Sequence, residues 1–327
     1  MKATTPVNNI SVNSNDVTSR ASQPHKQVIH IAAEKPDFEG FLDPDSFVTY
    51  EDGMHTVELP DTPEIRANQR YFDKPAWAKT YLKYCHRDNF FKERWRAAAG
   101  SWDNQIVVDV GCGPGNLYAT LGGIPKLLIG VDVSKGSLKI AQKAGYTPLL
   151  ADAHQIPLVS AFADLVVVNA TLHHCADMAA VLIESARLVR PGGLLIVDHD
   201  PQLSAWNYKG LGLALYKIRL SIIYRFFLRK LHIPLEERIA ALETEIHHRP
   251  GHGITTELFS GTLPQLGFDI DIYPHNNAIG AAALEGNWGP QPHWRYRFGQ
   301  ILSGINPFVS TSTLSLMCIG TKQPYLQ

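Results

Sequence analysis

Between residues 105 and 200, short apolar runs alternate with segments of helical period. The runs at 107–110, 127–131, 148–150, 164–168 and 194–197 are rich in Val, Ile and Leu and end in polar residues or glycine. Continuous apolar runs of this length are the pattern of strands buried on both faces. Residues 117–121 and 177–189 carry helical spacing between them, the second closed by Arg190-Pro191-Gly192-Gly193. Alternation of this kind predicts an α/β fold, a doubly wound and mostly parallel sheet with right-handed crossovers. Further along, 255–266 reads as a helix stopped by Gly267, and 268–273 and 314–320 read as two more strands. Before the alternating region, 62–99 reads as helical and aromatic-dense, with Trp77, Tyr81 and Tyr84 at helical spacing. Residues 47–50 and 55–59 pair around Asp52-Gly53 as a small hairpin.

The first strand of the alternating region empties into Gly111-Cys112-Gly113-Pro114-Gly115. Glycine there permits positive φ and lets backbone N–H groups approach a ligand with no Cβ in the way. A helix follows at once, so an anionic or polar ligand would meet free amides and the positive end of the helix dipole. Asp132 ends the next strand, where a carboxylate can accept hydrogen bonds from ribose hydroxyls. These features suit either a dinucleotide or S-adenosylmethionine. The spacing Gly-x-Gly-x-Gly departs from the dinucleotide pattern Gly-x-Gly-x-x-Gly. Taken alone, the loop is also compatible with an ordinary tight turn.

Later landmarks extend the series: Asp152-Ala153 after the third strand, Asn169 through His174 after the fourth, and Asp198-His199-Asp200 after the fifth. All fall at carboxyl ends of strands, where ligands of open α/β sheets sit. This ordered set, over residues 105–200, resembles the class I S-adenosylmethionine-dependent methyltransferases, and most closely the ubiquinone/menaquinone-type and small-molecule branch. The resemblance implies a seven-stranded Rossmann-like sheet whose seventh strand lies antiparallel between the fifth and sixth. It implies that Gly111, Gly113 and Gly115 run under the methionine portion of S-adenosylmethionine and that Asp109 orients that loop or the cofactor's amino group. Asp132 would take the ribose hydroxyls, Asp152 and Ala153 the adenine, and Asn169 the floor near the methionine. It further implies an N-terminal helical lid, in which Tyr71, Phe72 and Trp77 would face the sulfonium, since aromatic faces attract desolvated cations.

For a proton-bearing acceptor a base is needed, and histidine suits neutral pH. His173 and His174 stand beside the expected methyl group. His199, flanked by two acids that could fix its tautomer, is the rival. Each of the three has a purely structural reading as well. His199 with Asp198 and Asp200, and His247 with His252, use ligand-competent residue types but no recognised metal spacing, so no metal site is expected.

Composition narrows the function. A net charge of −1 over 327 residues supplies no field for nucleic acid. Four dispersed cysteines, Cys85, Cys112, Cys175 and Cys318, read as reduced thiols of a cytoplasmic protein. Residues 1–35 are rich in Asn, Ser, Thr and Gln and read as a disordered tail, with an organellar transit peptide as the alternative. Residues 36–100 are then the lid segment and 101–327 the methyltransferase domain, with a cap inserted at 201–253. Within it, 211–233 is apolar and basic, too charged for a membrane span. It reads as a helix packed on the core, as the wall of an apolar acceptor site, or as a peripheral contact with an anionic membrane. The expected activity is methyl transfer to a small, apolar or lipid-like acceptor. An RNA or protein methyltransferase, a non-catalytic protein retaining the fold, and a nicotinamide dehydrogenase are the alternatives.

Overall fold

The structure, a computed structural model, describes residues 37–218, 243–247 and 249–324. The tail at 1–35 and most of the 211–233 segment lie outside these. Strands β1 (Thr49–Glu51), β2 (Met54–Thr56), β3 (Ile106–Val110), β4 (Leu127–Asp132), β5 (Thr147–Leu150), β6 (Ala163–Asn169), β7 (Val189–Asp198), β8 (Phe268–His275) and β9 (Ser315–Lys322) form one sheet. Their order is β1-β2-β5-β4-β3-β6-β7-β9-β8. The strands from β3 to β7 pair in parallel, and β9 lies antiparallel between β7 and β8, as expected. The strand count corrects the expectation: among the described residues the sheet has nine strands rather than seven. The added pair is the β1–β2 hairpin, which extends the edge because β2 aligns parallel to β5, with His55 opposite Leu149.

The period of two along each strand separates two apolar layers. Val108, Val110, Ile129, Val131, Val166 and Val168 point to one face, where α6 (Met178–Leu188) and α9 (Thr256–Thr262) cover them. Val107, Leu128, Leu165, Val167 and Ile196 point to the other, against Phe91 and Trp95 of α3 (Asn89–Ala99) and against α4 (Asn116–Leu121) and α5 (Lys135–Lys143).

The helical run at 62–99 is three helices, α1 (Pro63–Phe72), α2 (Pro75–Tyr84) and α3. Each break is legible locally. Thr62 caps α1 and Pro63 opens it, Pro75 starts α2, and Asp88 caps α3 by accepting the Phe91 N–H. Asp177 caps α6 in the same way. The 190–193 turn is drawn into β7, where Gly193 lies so close to β6 that a Cβ would meet Asp164 O at 2.9 Å. After β7 come α7 (Leu203–Trp206) and α8 (Gly210–Ile218). The stretch 278–307 contains α10 (Trp294–Leu302).

Candidate active site

A cavity of about 370 Å³ opens at the carboxyl ends of β3, β4, β5 and β6. The glycine loop forms its floor. Gly111, Gly113 and Gly115 all have positive φ, at 71°, 53° and 88°. Their surroundings differ. A Cβ on Gly111 would strike Thr171 Cγ2 at 2.3 Å and one on Gly115 would strike Tyr146 Cε2 at 2.9 Å. A Cβ on Gly113 would meet nothing within 4 Å. Two of the glycines are therefore required by packing, while Gly113 keeps its backbone bare toward open space. The Gly113 N–H donates to Asp132 Oδ2 at 2.8 Å, and the Ser134 N–H donates to Asp132 Oδ1 at 2.8 Å. Burial nevertheless pushes the Asp132 carboxyl up to about 6, against those two hydrogen bonds.

Asp109 lines the same cavity. Burial raises it to about 7, although the Tyr146 hydroxyl donates to its Oδ2 at 2.7 Å and opposes the shift. Asp152, Ala153 and Asn169 line it too. Asp152 Oδ1 accepts the His154 N–H and sits 2.7 Å from His154 Nδ1. The side-chain oxygens of Asn116 and Asn169 are buried in the lining without a hydrogen-bond partner. An unpaired buried oxygen costs about 1–3 kcal/mol unless a ligand N–H or O–H meets it. Open backbone at Gly113, two orphaned oxygens and two carboxyls held near neutrality fit a polar, cationic ligand with a ribose. They would hold S-adenosylmethionine in the roles the sequence implied.

The three histidines take different places. His174 lines the cavity. Its Nδ1 lies 2.8 Å from the Thr244 carbonyl, which can only accept, so the ring hydrogen is on Nδ1 and the lone pair on Nε2. Burial, reinforced by His173, lowers it to about 3 and keeps it neutral. His173 lies behind it, ring centroids 4.0 Å apart, with Nδ1 at 2.7 Å from Asp200 Oδ1 and its N–H donating to the same oxygen. Burial raises Asp200 to about 7. His199 is not in the lining, and its ring meets His86 and Phe91 edge-on. Its flanking acids serve others: Asp200 holds His173, and Asp198 Oδ1 lies 2.7 Å from His275 Nε2 while Oδ2 takes Arg94 at 3.1 Å. Burial would raise Asp198, but the Arg94 guanidinium, then His275, outweigh it and hold the carboxyl far below its usual range. The tautomer-fixing arrangement expected at His199 thus sits at His173. Among the described residues no group of three His, Cys, Asp or Glu side chains is placed to hold a metal ion.

Several lining residues carried no sequence signal. Among them His86 comes from the turn before α3 and Asn116 from the start of α4; the Asn116 Nδ2 donates to Tyr81 O and Cys85 O at 3.0 and 3.1 Å, fastening α2 to α4. A polar residue opening an apolar helix was the one hint. Phe72 and Trp77 line the cavity, and Tyr71 meets Phe72 edge-on at 5.0 Å and Trp77 at a tilt at 5.3 Å between ring centroids. Trp77 stacks on Tyr81 with ring centroids 4.6 Å apart, giving a continuous aromatic wall.

Residues 108–197 match the family model described as a methyltransferase domain. A malonyl-[acyl-carrier protein] O-methyltransferase of Yersinia pestis is 28% identical over 181 residues, covering 55% of this chain and 62% of that protein. A ubiquinone biosynthesis O-methyltransferase of Thiobacillus denitrificans is 30% identical over 119 residues, covering 34% of this chain and 51% of that protein. The chain therefore spans about half to three-fifths of these relatives' lengths. A solved geranyl diphosphate C-methyltransferase of Streptomyces coelicolor is similar in outline, with a TM-score of 0.49 at 12% identity over 81% of this chain and 99% of that one. Residues 108–197, which run from β3 through β7 of the sheet, thus carry a methyltransferase domain.

Proposed function

We propose that the protein transfers a methyl group from S-adenosylmethionine to an oxygen-bearing group of a small, apolar acceptor. The observation that carries this is the composition of one cavity: glycine loop, Asp109 and Asp132 on one side, aromatic lid and His174 on the other. When bound, the donor supplies an activated methyl on a sulfonium, so the protein's task is position and electrostatics. Asp132 takes the ribose hydroxyls, Asp109 and the Asn169 oxygen take the amino group, and Asp152 with Ala153 takes the adenine. Phe72, Trp77 and Tyr81 exclude water and present ring faces to positive charge.

His174 is the proposed base. Its Nε2 lone pair is fixed by the Thr244 carbonyl on the opposite nitrogen, which leaves that atom free to accept a proton. A proton taken up there replaces the positive charge that the cavity loses as the methyl leaves. His173, set by Asp200, holds the His174 ring in place, and His199 supports His86 from below. Two relatives named as O-methyltransferases support an oxygen acceptor. Cavity size and the absence of net positive charge support a small acceptor over RNA. Among the described residues no helix is long and apolar enough to cross a membrane. The 211–233 segment proposed as acceptor wall or membrane contact lies outside the described residues beyond Ile218.

Calorimetry with S-adenosylhomocysteine, beside NADH, tests the cofactor. Binding of the first alone in the micromolar range is expected, with loss of at least tenfold in Gly113→Val and Asp132→Ala. Binding of NADH instead, or unchanged affinity in both variants, overturns the reading.

A further inference from the structure

Two segments of this chain are free of acidic residues although the whole has 31 Asp and Glu. From Pro201 to Ile218 the only charged residues are Lys209 and Lys217; from 286 to 324 they are Arg295, Arg297 and Lys322. The fold brings the two segments together through α8 and α10. Contact is close: a Cβ on Gly212 would meet Gly299 O at 2.5 Å and Ser303 Oγ.

With Gly212 and Gly299 turned toward each other, the neighbouring positions face outward. Leu211 is 68% exposed, Trp294 58%, Phe298 49% and Ile301 53%. Trp294, Phe298 and Ile301 follow the i, i+4, i+7 spacing of one helix face. Seven of the thirteen exposed large apolar side chains recorded among the described residues fall within 211–215 and 294–309. Such clustering is unlike the scattered single apolar residues of an ordinary surface. The Arg295 guanidinium lies over the Trp294 ring, 5.7 Å from its centroid.

We propose that the α8–α10 face docks onto an anionic lipid surface. Trp and Phe enter the headgroup boundary while Lys209, Lys217 and Arg295, all exposed, meet lipid phosphates. Charge decides against a second copy as occupant, because a two-fold contact would press one acid-free basic face against itself. The inference does not depend on the methyltransferase reading, since it uses no residue of the cavity.

Co-sedimentation of the full chain with vesicles tests it. Binding is expected to phosphatidylcholine vesicles containing one-third phosphatidylglycerol, with little to phosphatidylcholine alone, and release is expected at about 0.5 M salt. Trp294→Ser with Phe298→Ser removes binding, and Lys209→Glu or Arg295→Glu each lowers it roughly fivefold or more. Thermal melts of these surface variants should match the parent. Failure to bind anionic vesicles, or undiminished binding by the double serine variant, overturns the proposal. So does a dimer in light scattering that this variant dissolves, which would make the occupant a second copy.

Discussion

At the scale of single residues, His174 and His173 look equivalent in the sequence and are opposed in the structure. The carbonyl of Thr244 fixes the hydrogen on Nδ1 of His174 and leaves Nε2 as a lone pair on a cavity-lining ring. His173 spends its Nδ1 on a buried carboxyl that it cannot leave without exposing an orphaned charge or proton. Asparagine at 174 separates the two duties, because its amide can still donate to Thr244 while the distal lone pair is gone. His174→Asn is therefore expected to lower turnover about 10²–10⁴-fold, the range of a lost general base. Affinity for S-adenosylhomocysteine should stay within about threefold, since the residue's polar role faces the acceptor. Turnover is read as S-adenosylhomocysteine release with an acceptor found by screening phenols and carboxylic acids. A variant with full turnover would remove His174 from the mechanism.

At the scale of elements, one carboxylate ties α1 to the start of α5. Asp73, at the end of α1, accepts the Ser134 hydroxyl at 2.7 Å and the Gly136 N–H at 2.8 Å, so it caps α5 from another segment. Gln69 Nε2 donates to Val133 O beside it. The contact works only because residue 136 has no side chain: a Cβ there would lie 2.5 Å from Asp73 O and 2.7 Å from its Cα, both backbone atoms that cannot swing away. Gly136→Ala should lift α1 from α5, lowering affinity for S-adenosylhomocysteine roughly tenfold and stability by about 1–2 kcal/mol. Calorimetry and a denaturant melt measure the two; unchanged affinity would mean the lid does not cover the donor. The same element shows where sequence was legible and where it was not. Strands, caps and the glycine loop depend on neighbours within a few residues, so β3, its loop and the hairpin around Asp52-Gly53 could be read directly. Asp73 to Gly136, His173 to Asp200 and Asp198 to His275 join positions 63, 27 and 77 residues apart. Nothing local marks those pairs, so the sequence does not show that the acids beside His199 hold His173 and His275.

At the scale of the whole molecule, two sets of buried groups respond to pH in opposite senses. Asp109, Asp132 and Asp200 have folded values near 7, 6 and 7 against an ordinary 3.8. Groups raised in this way stabilise the fold fully below 3.8, and the contribution is lost as pH climbs through the folded value. His86, His174 and His199 have folded values near 3, 3 and 4 against 6.5. Their contribution is complete above 6.5 and is lost as pH falls toward the folded value. Between about pH 4.5 and 6 the unfolded chain gains protons on these histidines and loses them from these acids, so the two flows oppose, while His275 and His55, also lowered by burial, tip the balance toward proton uptake. The ligand-free protein should therefore lose melting temperature only gradually toward acid across that window. Bound donor breaks the balance. Its protonated amino group and ribose hydroxyls, both kept in S-adenosylhomocysteine, favour ionised Asp109 and Asp132, so binding releases protons that an acidic solution opposes. Each such proton costs about 1.4 kcal/mol per pH unit below the free-protein value. Affinity for S-adenosylhomocysteine should accordingly fall roughly tenfold or more between pH 7 and pH 5. The thermal shift it produces should shrink by several degrees over the same range, on the order of 2–4 °C per kcal/mol. Melting curves with and without the ligand, taken across pH 4.5–8, read both. A steep acid loss in the free protein with a constant ligand shift would show that the cavity carboxyls are already ionised before the donor arrives.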